Sequence, residues 1–177
     1  MLQKYVTQVP KVMIFVIIKD FFILYLFRKL SYFRIMISKQ SKYAIRGVIY
    51  LAIYASKNNK LSSVEVGNKT NIPVSFLAKI FQKLSKENLM SSAKGPNGGF
   101  YLTDRELNNS VLDIIDCIDG LESFSSCFIG LPQCSNKNPC AIHEVASLWR
   151  DNLVAELKVR TIAEMAEDAK TGNSRIL

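Results

Sequence analysis

Cys127, Cys134, Cys140 and His143 fall within one stretch, CFIGLPQCSNKNPCAIH (127–143), interrupted by Gly130, Pro132, Asn136, Asn138 and Pro139. Three thiols and an imidazole so close in sequence admit a disulfide staple, a metal or iron-sulfur site, or a set of small buried side chains. Thiolate and imidazole are the donors that soft and borderline metals select, so an iron-sulfur cluster or zinc suits the set. Structural zinc sites space their cysteines roughly two to four residues apart. Here six residues separate the first pair and five the second. Gaps that wide fit a loop wrapped around something bulkier than one ion, without excluding zinc. Redox-active thiols with no cofactor are a further chemistry open to the same residues. Asn138 and Pro139 are placed to cap and begin the next helix, which would set Cys140 and His143 on one face near its N-terminus, where the helix dipole favours a thiolate.

These residues do not read as an active site. Nucleophilic catalysis needs a base beside the thiol, and His143 is the single histidine of the chain. The one glycine-rich turn, GPNGG (95–99), belongs to a hairpin rather than to a substrate cradle. Neither enzymatic activity nor a small-molecule substrate is expected. Four cysteines in 177 residues fall below the density of a secreted disulfide scaffold, and no small-residue cleavage site follows the N-terminal apolar run. The expected compartment is the reducing cytoplasm, where clustered cysteines bind metal or sense redox more often than they form bridges.

A chain of 177 residues can bury a core of its own. Its net charge of +8 is divided unevenly: residues 1–35 carry +5, 36–107 carry +7 and 108–177 carry −4. A basic segment beside an acidic one points to a polyanion-binding half joined to a second function. The run VMIFVIIKDFFILYLF (12–27) is apolar but broken at its centre by Lys19 and Asp20. A spanning helix needs about 20 mainly apolar residues, and a central charge costs about 2.5–3.5 kcal/mol. A membrane-tethered adaptor is therefore the weaker reading and no membrane partner is expected. Residues 1–35 are read as an apolar, basic extension, with Met36 as an alternative start.

The elements that must position the cysteine loop follow from periodicity. Ala44, Ile45, Val48, Leu51, Ala52 and Ala55 recur at spacings of three and four, which predicts a helix over 41–56. Ser62 stands three residues before Glu65, a capping box that opens a second helix. Pro73 suits the first turn of a third, whose buried face is Val74, Leu77, Ile80, Phe81 and Leu84. Its outward face, Ser75, Phe76, Ala78, Lys79, Gln82 and Lys83, is small enough to enter a DNA groove and basic enough to hold phosphate. Two short β-like runs, the second being Phe100–Thr103, flank Gly95, Pro96, Asn97, Gly98 and Gly99, and Lys94 adds a basic tip. Two helices across a short turn followed by such a hairpin make a winged helix-turn-helix. A further helix carries Val111, Ile114, Ile115 and Ile118, is closed by Gly120, and holds Cys117 as a buried residue rather than a ligand. Beyond the cysteine loop, Ile142, Val145, Trp149, Leu153 and Leu157 form one stripe, read as a helix-packing or dimer surface.

From Met36 to about Leu157 the chain resembles the Rrf-two family of bacterial winged-helix regulators. The resemblance rests on SKYAIRG, IPVSFLAKIFQKLSKENL, the wing KGPNGGFYL, the cysteine loop and LWRDNL, in that order. It implies a mainly α fold with a small β-hairpin wing and a long dimerisation helix. It also implies a DNA-binding transcription regulator, a homodimer on double-stranded DNA, controlled by a labile iron-sulfur cluster that responds to iron-sulfur status, oxidants or nitric oxide. Residues 36–107 would be the DNA-binding domain, 108–160 the sensor loop and dimerisation helices, and 161–177 a tail. Lys42, Ser75, Phe76, Ala78, Lys79, Lys83 and the wing residues Lys94–Gly98 would face DNA. Two departures matter. IscR-like members often carry glutamate where Ala78 stands, so the target sequence does not transfer. Some members take an aspartate ligand from the partner near the start of the first helix, where Lys42 stands here and cannot serve. His143, two residues past the last cysteine as in IscR-like members, becomes the fourth ligand that the resemblance implies.

Overall fold

The computed structural model describes residues 37–175. The expectation for residues 1–35 lies outside them. The chain runs through α1 (Lys39–Tyr54), α2 (Ser63–Thr70), α3 (Val74–Lys86), β1 (Ser91–Ala93), β2 (Gly99–Tyr101), α4 (Asp104–Leu107), α5 (Val111–Asp119), α6 (Glu122–Ser125), α7 (His143–Val159) and α8 (Ile162–Lys170). The expected class, mainly helical with a small hairpin wing, is what the structure shows.

Helix α1 is the centre about which the others assemble. It meets α2, α3, α5, α8 and β2, and its Ala44, Val48 and Leu51 are fully buried. Ser38 caps its N-terminus by accepting from the Gln40 and Ser41 N–H groups. The same residue donates from its N–H and hydroxyl to the Asp119 carboxylate at 2.8 and 2.6 Å, tying the start of α1 to the end of α5. Helix α2 opens with the expected capping box of Ser62 and Glu65. It ends at Asn71 in the left-handed conformation, φ 54°, which asparagine tolerates better than most residues. A Cβ at Gly67 would lie 2.9 Å from the Ile72 carbonyl oxygen, so only glycine lets α2 sit this close to the turn into α3. On α3 the side chains of Leu77, Ile80, Phe81 and Leu84 are buried, as the periodicity predicts.

The wing is an antiparallel pair with Ser91 opposite Tyr101 and Ala93 opposite Gly99. A single-residue bridge on the other side of β2 joins it: Leu61 and Phe100 exchange backbone hydrogen bonds of 3.1 and 2.8 Å. The second run ends sooner than expected. Leu102 is buried, and Thr103 turns to cap α4 in a box with Glu106. Residues 161–177, expected as a tail, contain α8, opened by a capping box of Thr161 and Glu164. Its Ile162 and Ala166 are buried against the core. Arg160 and Asn109 offer carbonyls to the N–H groups of Val111 and Ile162, both at 3.0 Å, which fastens α8 beside the start of α5.

Candidate metal centre and nucleic-acid interface

The cysteine loop hangs between two anchored ends. Upstream, Phe124 of α6 is buried and delivers the chain to Cys127. Downstream, α7 packs Leu153, Val154 and Leu157 against the core. The segment between is a succession of tight turns. The Gly130 N–H donates to the Cys127 carbonyl at 2.9 Å, with Gly130 at φ 78°, where any Cβ would be strained. Ser135 and Asn138 exchange backbone bonds of 3.1 and 3.0 Å, and the His143 N–H reaches the Cys140 carbonyl at 3.0 Å. Folded this way, the sulfurs of Cys127, Cys134 and Cys140 all lie within 4.8 Å of one another. Cys127 Sγ and Cys140 Sγ are 3.8 Å apart. All three thiols are free and partly exposed. His143 stands at the edge of this group, with Nδ1 3.1 Å from Cys134 Sγ and Nε2 2.7 Å from Asn136 Oδ1.

The thiols are not equivalent. Desolvation opposes ionisation of Cys127, but the N–H groups of Leu131 and Ile129 and the thiols of Cys134 and Cys140 outweigh it, and its pKa falls below the ordinary thiol value. At Cys134 the Cys140 N–H favours the thiolate, yet desolvation and the Cys127 and Cys140 sulfurs prevail and push its pKa up. Three thiolates this close repel one another, and a cation held among them removes the conflict. The donor chemistry fits zinc or an iron-sulfur cluster. Tetrahedral bonds of about 2.3 Å put neighbouring sulfurs about 3.8 Å apart, the separation of Cys127 and Cys140. Thiolates bound to different irons must stand wider. Phe128, Ile129 and Leu131 are exposed, so no core packing opposes widening of the loop. Cys117, on α5 and packed against the core, lies apart from the triad, and burial raises its pKa.

The local route to this geometry differs from the expected one. Asn138 does not cap α7. Its side chain donates to the Gln133 carbonyl at 3.0 Å, and the helix begins at His143 with Ile142 as the cap residue. Cys140 therefore lies in the preceding turn, because the Ser135–Asn138 turn engages the asparagine first. Two contributors carry no sequence signal of their own: Asn136, on the His143 ring, and Arg150, which donates to the Ser126 carbonyl at 3.4 Å next to Cys127.

On the basic side, Ser75, Phe76, Lys79 and Lys83 of α3 are exposed and Ala78 is half-buried. Lys42, Lys94, Gly95, Pro96 and Asn97 are exposed and Gly98 is half-buried. Lys83 is not wholly available to a ligand, since its ammonium donates to the Ile118 carbonyl at 3.2 Å, at the end of α5. The apolar stripe of α7 divides. Leu153 and Leu157 turn partly inward, whereas Val145 and Trp149 are 75% and 54% exposed, beside Leu148 at 64%. Ile142 is exposed at the start of the helix. Among the described residues no helix is long and apolar enough to cross a membrane.

A helix-turn-helix with a hairpin wing, joined to a cysteine-bearing helical unit, defines a winged-helix regulator. Residues 37–168 match the family model Rrf2, described as an iron-dependent transcriptional regulator, and the chain belongs to this family. A protein of Aquifex aeolicus (strain VF5) named for an HTH-type transcriptional regulator is 32% identical over 126 residues, which is 70% of this chain and 86% of the relative. The HTH-type transcriptional regulator IscR of Vibrio atlanticus (strain LGP32) is 25% identical over 135 residues, 75% of each chain. The fold is shared with CymR, the global cysteine regulator of B. subtilis, at TM-score 0.60 and 21% identity, over 74% of this chain and 95% of that one. These relatives are transcriptional regulators rather than enzymes, in line with the expectation from sequence.

Proposed function

We propose that the protein is a cytoplasmic homodimer whose α3 and wing read a roughly palindromic DNA site, under the control of an iron-sulfur cluster bound by Cys127, Cys134, Cys140 and His143. The observation that carries this reading is the convergence of three free sulfurs within 4.8 Å, on an exposed loop that follows the winged helix-turn-helix in the chain. When bound, such a cluster supplies reversible redox chemistry and a bond network that is lost when it degrades. Imidazole is a neutral and weaker donor to iron than thiolate, so His143 is the weak corner of the set.

The residues themselves suggest how the loop could reach the DNA face. Arg150 of α7 holds the Ser126 carbonyl beside Cys127. Gly120 and α6 lead back from there to the end of α5, where Lys83 of α3 grips the Ile118 carbonyl. Ordering the loop in one state alone biases α5 and α7, and through Lys83 the pose of the recognition helix. Val145, Leu148 and Trp149 would pair with their copies across a two-fold axis and set the spacing of the two α3 helices.

The 3.8 Å separation of Cys127 and Cys140 favours one second reading, a single tetrahedral zinc ion or a cofactor-free thiol pair in the same place. Oxygen-free purification followed by absorption spectroscopy and iron, sulfide and zinc analysis separates them. The expected result is visible absorbance with iron and sulfide in equal amounts, lost in Cys134→Ala together with the response of DNA occupancy to iron or oxidant. Colourless protein holding one zinc supports the second reading. Unchanged regulation in Cys134→Ala defeats the cluster and the zinc, and unchanged regulation in Cys127→Ala defeats the thiol pair as well.

A further inference from the structure

An imidazole can ligate through either nitrogen, and the choice is set by what the other nitrogen meets. In this loop Nε2 of His143 lies 2.7 Å from Asn136 Oδ1, while Nδ1 faces Cys134 Sγ at 3.1 Å. A carbonyl oxygen can only accept, so in the tautomer that makes this bond the Nε2–H donates to it and the lone pair lies on Nδ1, facing Cys134 Sγ. Asn136 is itself held in place. It follows Ser135, whose N–H and carbonyl exchange bonds with Asn138, and the Asn138 N–H also donates to the Ser135 hydroxyl at 3.3 Å. The Asn138 side chain fixes the other flank through the Gln133 carbonyl. Four hydrogen bonds thus brace a short turn from which the Asn136 amide reaches the single imidazole of the chain.

We infer that Asn136 is a positioning residue: it locks the ring of His143 so that Nδ1, and not Nε2, is the atom presented to the metal centre. Partners of this kind orient a ligand and raise its basicity, and their removal typically weakens metal retention roughly 10- to 100-fold. The inference rests on the cluster reading for what is bound, but the Asn136–His143 contact exists in metal-free protein and is measurable there. Asn136 lies in an exposed turn with no part in the core, so its replacement leaves the fold intact.

Two measurements test it. In metal-free protein labelled with nitrogen-15, the single histidine should show an Nε2–H proton slowed in exchange with water. That signal should vanish in Asn136→Ala and persist in Asn136→Asp, which keeps an acceptor. In the oxygen-free, reduced cluster protein, histidine labelled at one ring nitrogen at a time should give strong hyperfine coupling from Nδ1 and weak coupling from Nε2. Cluster absorbance should decay roughly tenfold faster in Asn136→Ala than in wild type or Asn136→Asp. Strong coupling from Nε2, or an unchanged Nε2–H signal in Asn136→Ala, overturns the inference. Wild-type protein that takes up no iron sinks the cluster reading and the ligating role with it, a failure recognised because the metal-free proton signal is read independently.

Discussion

In metal-free protein the thiols should not react alike, because the thiolate is the nucleophile and its fraction follows the local pKa. Cys127, lowered by the Leu131 and Ile129 N–H groups against desolvation, holds more thiolate near neutral pH than Cys134, which is raised. Cys117, raised by burial, holds less than an ordinary thiol. Timed alkylation read by peptide mass spectrometry should modify Cys127 first and Cys117 last, with the advantage of Cys127 shrinking as pH rises and every thiol ionises. Bound metal should protect the three loop cysteines and leave the slow reaction of Cys117 as it was. The residues of this site are legible in sequence because thiols and imidazole are rare and clustered. Their order of reactivity is not legible, since it depends on which backbone N–H groups a folded turn aims at each sulfur. Asn136 escapes for the same reason: only the Ser135–Asn138 turn brings it to the ring.

At the level of helices, the Ser62–Glu65 box makes a pH-dependent contribution. The Glu65 carboxyl is held below its usual range, chiefly by the Ser62 N–H. Its contribution is therefore complete above the unfolded-state pKa and is lost as pH falls through the folded one. Ser62→Ala should cost about 1 kcal/mol in denaturant melts at neutral pH, and less in acid. On α3, Lys79 is exposed, whereas the Lys83 ammonium already donates to Ile118. Lys79→Ala should flatten the log-log salt dependence of DNA binding by about 0.9, and Lys83→Ala by less. Capping boxes and three-four spacings are local rules, which is why α1, α2, α3 and α5 can be read directly from the chain. The same S/T-x-x-E pattern stands at Thr161–Glu164, but α8 has only a short apolar face, and its burial depends on a groove that α1 and α4 create together.

Across the whole molecule, the uncovered face of α7 is the feature that asks for a partner. Val145, Leu148 and Trp149 lie within one helical turn and all are more than half exposed, and neighbouring apolar side chains of this kind mark interaction surfaces. Trp149→Lys should convert the protein to a monomer by sedimentation velocity and weaken operator binding, while leaving far-UV circular dichroism unchanged. The division of the α7 stripe is beyond a linear reading, since the inward turn of Leu153 and Leu157 requires the position of α5. Helix α8 carries a different consequence. Ile162 is wholly enclosed beside the first helix, so residues more than a hundred positions apart complete one hydrophobic interior. A nascent chain emerging from the ribosome has synthesised its recognition helix and wing long before that interior can close. The DNA-reading half should therefore mature only after the cysteine loop has left the exit tunnel, and a prematurely terminated copy would not compete for operator sites.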